Sequence, residues 1–107
     1  IISVNGNVAG RDGVKAIALD SIFNFPVDFI KMDIDGSEPN ALKGMIQTIE
    51  RSPNLKLIIE YFPLYIRKLG LNPQDELDFL SKYFNYSKIE GDYGGECVNF
   101  YCERKTA

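Results

Sequence analysis

The chain has no histidine, two cysteines, and 12 Lys and Arg against 15 Asp and Glu. Without histidine it lacks His-based triads and the commonest zinc ligand. The net charge is −3 and the basic residues are scattered, so no dense Lys/Arg stripe exists to displace counterions from nucleic acid. No nucleic-acid partner is expected. No apolar run approaches the ~18 residues of a membrane span. The first residues show neither the basic region nor the apolar core of a signal peptide. Cys97 and Cys102 have odd separation in an apparent strand, so they point to opposite faces and are not expected to pair. Two free thiols suit a reducing compartment, and the cytoplasm is the expected location. Repeats and low-complexity tracts are absent. Hydrophobic residues make up 45% and charged residues 25% of 107, which fits one α/β domain over residues 1–107.

Ile1 to Gly13 reads as a strand remnant and a loop, and Val14 to Leu19 as a short strand. Asp20 is placed to cap a turn through Phe23, which Pro26 ends. Val27 to Ile34 is nearly all apolar, the pattern of a strand buried on both faces in a parallel sheet. Ser37 and Pro39 open a helix, and Leu42, Met45, Ile46 and Ile49 continue it at helical spacing until Pro53. Leu55 to Tyr61 is a second buried strand. Pro63 starts a short helix closed by Gly70, and Asn72-Pro73 starts another with Leu77, Leu80 and Phe84 inward. Tyr86 to Glu90 and Val98 to Glu103 read as a terminal antiparallel hairpin around Gly91 to Glu96. This order predicts a mostly parallel sheet finished by an antiparallel edge.

The chemistry concentrates in VDFIKMDIDGSEPNALKG, Val27 to Gly44. Carboxylates at the carboxyl end of a buried strand, beside a helix start, sit where α/β proteins place their reactions. Asp33 is suited to accept a proton there. Lys31, two residues earlier, shares its strand face and is costly to bury unless paired, so it either pairs with a carboxylate or snorkels to solvent. Asp35 and Glu38 lie where the helix dipole favours acids. Glu60 ends the next strand and lies beside Asp33 if the two strands are neighbours. Such a pair is able to bind a divalent ion, but hard cations prefer more ligands, and no metal ligand is assigned. Tyr61, Phe62 and Tyr65 are candidates to wall an acceptor pocket.

Three segments together, LDSIF, VDFIKMDIDGSEPNALKG and LKLIIEYFP, resemble the carboxyl half of FkbM-type S-adenosylmethionine-dependent methyltransferases. The pattern rests on Leu19-Asp20, Lys31, Asp33, Asp35, Gly36, Glu38, Leu42, Gly44 and Glu60. The resemblance implies a Rossmann-like methyltransferase fold, with Val27 to Ile34 as its fourth strand, Leu55 to Tyr61 its fifth, and the hairpin its sixth and seventh. It implies methyl transfer to a hydroxyl oxygen of a sugar or secondary metabolite. Asp33, Lys31 and Glu60 would be catalytic. Asp33, Asp35 and Gly36 would contact the cofactor, and Glu38 and Tyr61 the acceptor. The family's acidic, glycine-rich cofactor loop falls upstream of the matched segments. Gly6 and Gly10 imitate it, but Asn5 stands where the acid belongs and no helix can follow. The chain is thus expected to be the acceptor-side half of a domain, incomplete at its amino end and inactive alone.

Two alternatives come from other classes. Asp33-Ile34-Asp35-Gly36-Ser37 also resembles the Asp-x-Asp-Gly-(Thr/Ser) motif of haloacid dehalogenase-like phosphatases, with Asp33 as nucleophile, Asp35 as acid/base and Mg²⁺. The motif would then stand on the wrong strand of that fold. A non-catalytic α/β module is the other. An EF-hand is excluded, because Glu38 occupies its glycine position and Gly44 its final glutamate.

Overall fold

The computed structural model describes residues 17–89 and 97–105. The expectations for Ile1 to Gly13, the first part of the Val14 to Leu19 strand and the Gly91 to Glu96 loop lie outside them. Among the described residues four strands, β1 (Phe29–Met32), β2 (Lys56–Tyr61), β3 (Phe84–Lys88) and β4 (Val98–Arg104), form one sheet in the order β1-β2-β4-β3. β1 runs parallel to β2, while β4 is antiparallel to both β2 and β3. Three strands therefore point one way, and β4 is inserted between two of them in the opposite sense. This corrects one expectation: among the described strands the antiparallel one is internal, and β3 forms an edge. Leu19–Ser21 is a 3₁₀ turn rather than a strand end.

The strands are shorter than their apolar runs. β1 keeps Met32 buried but exposes Phe29 and Lys31, so it is not covered on both faces by the described residues. β2 is the better buried strand, with Leu57 and Ile59 wholly enclosed.

The single helix expected after Ser37 is two helices, α1 (Glu38–Lys43) and α2 (Ile46–Arg51). The break lies at Gly44-Met45, where glycine makes the helix weak. The Gly44 carbonyl accepts the Asp20 amide at 2.9 Å. The Asp20 carboxylate then receives the Gln47 amide at 3.0 Å and the Thr48 amide and hydroxyl at 2.8 and 2.7 Å. Asp20 therefore caps α2 across the fold, not its own turn. At the other end of α2, the Arg104 guanidinium of β4 donates to the carbonyls of Ile49 and Ser52. An acid at the amino end and a cation at the carboxyl end both complement the helix dipole.

α3 (Pro63–Lys68) ends at Gly70, with φ +77°. The Gly70 amide returns to the Arg67 carbonyl and the Leu71 amide to that of Ile66, closing the last turn. α4 (Pro73–Tyr83) opens as expected, with the Asn72 side chain accepting the Gln74 amide. It packs on α1 and runs straight into β3, so Phe84 is a strand residue. The core joins Leu42, Met45, Ile49, Leu55, Leu57, Ile59, Leu80, Phe84 and Cys102. Cys97 and Cys102 are both free. Among the described residues no helix is long and apolar enough to cross a membrane.

Candidate active site

The turn between β1 and α1 is built from two consecutive left-handed residues, Asp35 (φ 53°) and Gly36 (φ 99°). Aspartate tolerates that conformation better than most side chains, and glycine adopts it freely. Gly36 has a second constraint. A Cβ there would lie 2.7 Å from the Tyr65 carbonyl carbon and oxygen, so the turn is pressed against the backbone of α3. Its missing side chain makes room for α3, not for a ligand. Glu38 folds back over the same turn and accepts the Ile34 amide at 2.8 Å and the Gly36 amide at 2.9 Å. It is fully enclosed, with both oxygens engaged by backbone, and it has no surface to offer an acceptor.

Parallel register does the rest. Met32 pairs with Ile59, and one step further sets Asp33 beside Glu60 at the carboxyl ends of β1 and β2. Carboxylate oxygens of Asp33, Asp35 and Glu60 all lie within 4.8 Å of one another. Asp33 and Asp35 are exposed, whereas Glu60 is 8% exposed. The Cys97 thiol donates to Glu60 Oε2 at 3.5 Å, and Glu60 Oε1 has no donor among the described residues. Burial, then hydrogen bonding to Asp33 and its charge, push the Glu60 carboxyl up to about 7. Two carboxylates this close favour sharing one proton.

More negative charge lies behind the pair. Burial raises the Glu38 carboxyl, with the Asp33 charge adding to it, while the two loop amides oppose the shift. Glu76 of α4 is fully buried with both oxygens lacking a donor among the described residues. Desolvation, aided by the charges of Glu38 and Glu60, pushes it up to about 9. No salt bridge among the described residues involves these acids; Lys56–Glu103 joins the two central strands, β2 and β4, at the end away from Glu60.

Beside Asp35 an open groove of about 470 Å³ is lined by Asp35, Tyr65, Lys68 and Leu69. Tyr65 stacks on Phe62 with centroids 4.2 Å apart, and the Lys68 ammonium stands 5.3 Å from the Tyr65 ring. Tyr61 packs against Phe100 at 5.7 Å. The turn and β2 thus bring together Asp33, Asp35 and Glu60, and α3 adds Tyr65. Lys31 is exposed on β1 and forms no ion pair among the described residues, so of its two expected fates the structure displays the solvent-facing one.

Sequence reasoning passed over Glu76 and the role of Cys97. Glu76 was visible in principle: with Pro73 and Leu80 it falls on one helical face, and those are the buried residues of α4. Cys97 gave no signal, because its contact with Glu60 depends on the β2–β4 register.

The described residues fit the cationic end of S-adenosylmethionine, since two exposed carboxylates suit a sulfonium and an ammonium group. Residues 3–98 match the family model described as "Methyltransferase FkbM domain". No curated protein matches the chain.

Proposed function

The chain belongs to the FkbM methyltransferase family, and from that premise we propose that it serves methyl transfer to a hydroxyl oxygen of a sugar or secondary metabolite. The observation that carries this reading is the Asp33–Glu60 pair at the ends of two parallel strands, its oxygens within 4.8 Å of those of Asp35, which itself lines the groove. S-adenosylmethionine, when bound, supplies the electrophilic methyl group. Asp33 accepts the proton of the acceptor hydroxyl as its oxygen attacks, and Glu60 shares that proton. Asp35 forms the edge of the groove. Tyr65 and Leu69 offer an apolar wall against which a sugar ring can stack, and Lys68 a donor for its hydroxyls. Glu38 acts by fixing the turn, and Gly36 by letting it seat on α3. The family match favours this reading over the phosphatase one.

The test is transfer from methyl-labelled S-adenosylmethionine to a panel of sugars and hydroxylated metabolites. Label in a stable methyl ether, lost in Asp33→Asn, is expected. Hydrolysis of an aryl phosphate with Mg²⁺, abolished by Asp33→Asn, would contradict it.

A further inference from the structure

We propose that Asp33, Asp35 and Glu60 together hold one hard divalent cation, magnesium or manganese, at the carboxyl ends of β1 and β2. Their oxygens lie within 4.8 Å of one another. Ligand oxygens at ~2.1–2.5 Å from an ion stand at most about 4–5 Å apart across it, so the spacing fits a single ion. A cluster of exposed acids alone would not suffice. The independent observation is Glu60 Oε1: it belongs to a residue only 8% exposed and has no hydrogen-bond donor among the described residues. The other oxygen, Oε2, is taken by the Cys97 thiol, which leaves Oε1 for the cluster.

The backbone supports the same conclusion. Asp35 sits at φ 53°, a left-handed conformation that aspartate tolerates, in a turn that Glu38 clamps from inside. Its carboxylate comes to lie with those of Asp33 and Glu60 rather than in solvent alone. The donor set is three carboxylates in a chain without histidine, which selects hard ions that take oxygen over soft ions that take nitrogen or sulfur. Three protein ligands leave open positions, as expected of an ion that also meets substrate. The cation's role in acidifying the acceptor hydroxyl rests on the methyl-transfer reading; its binding does not.

Titrating the chain with Mn²⁺, read by the loss of the free-ion electron paramagnetic resonance signal, tests this directly. One Mn²⁺ per chain is expected, displaced by Mg²⁺. Asp35→Asn keeps a residue that tolerates the left-handed turn, so it retains the fold and isolates the ligand. It should weaken binding by roughly tenfold or more, and Glu60→Gln likewise. Asp78→Asn, on exposed α4 surface, should bind as the parent does. Equal binding by all four proteins, or Mn²⁺ remaining free, overturns the proposal. Methyl transfer undiminished in excess EDTA would overturn the cation's role in acidifying the acceptor hydroxyl while leaving the transferase reading intact. Mn²⁺ held by the triad without transfer to any hydroxyl would uphold the cation site independently of the methyl-transfer reading.

Discussion

At the scale of single residues, the site is governed by which carboxyl groups keep their protons. Glu60, pushed up to about 7 by burial and by the neighbouring Asp33, keeps its proton below that pH and is ionised above it. Methyl transfer should therefore rise as pH climbs through about 7, and Glu60→Gln should flatten that rise in a pH–rate profile. Glu76 affects stability instead. Its carboxyl is ionised in the unfolded chain above about 4.5 but stays protonated in the fold up to about 9. The stability it permits is complete below pH 4.5 and drains away as pH rises toward 9. Glu76→Gln should remove that slope, a differential on the order of 1–3 kcal/mol at pH 7. Thermal melts at pH 5 and pH 8 check it: the parent should lose more melting temperature between them than the variant.

At the scale of elements, two connections hold the site in place. Asp20 ties the turn before β1 to the amino end of α2 through Gln47 and Thr48, and its amide holds the Gly44 carbonyl at the break between α1 and α2. Asp20→Ala leaves those donors without their cap and should cost about 1–2 kcal/mol, read by denaturant unfolding, with Asp20→Asn recovering part of it. The Asp35-Gly36 turn is the second connection. Gly36→Ala combines a left-handed backbone with a Cβ 2.7 Å from the Tyr65 carbonyl. It should move α3 off the turn and destabilise the fold by roughly 1–3 kcal/mol. Because the groove is shared between Asp35 and α3, acceptor KM should rise as well.

At the scale of the whole molecule, much of the sheet was legible from apolar runs and punctuation. Asn72-Pro73 and Gly70 marked helix ends that the structure reproduces, because caps are local chemistry. The acids at the end of β1 and Glu60 at the end of β2 were also legible, since a parallel pair of strands aligns its carboxyl ends. The insertion of β4 between β2 and β3 was not. It depends on long-range pairing such as Leu57 with Cys102, which no local pattern encodes. Nor was the helix break at Gly44, because the partner that stabilises it, Asp20, lies far upstream. Glu38 looked like a site residue from its position, yet its burial against two backbone amides is a tertiary fact. Gly36 and Glu38 hold the turn that presents Asp33 and Asp35 beside Glu60, while Asp20 and Gly44 fix the start of α2.

That presentation is best tested by single-turnover methyl transfer to a hydroxyl acceptor, comparing the parent with Asp33→Asn at matched folding. The account predicts a loss of roughly a hundredfold or more in Asp33→Asn, the scale of losing a positioned proton acceptor. Undiminished transfer by Asp33→Asn would contradict it.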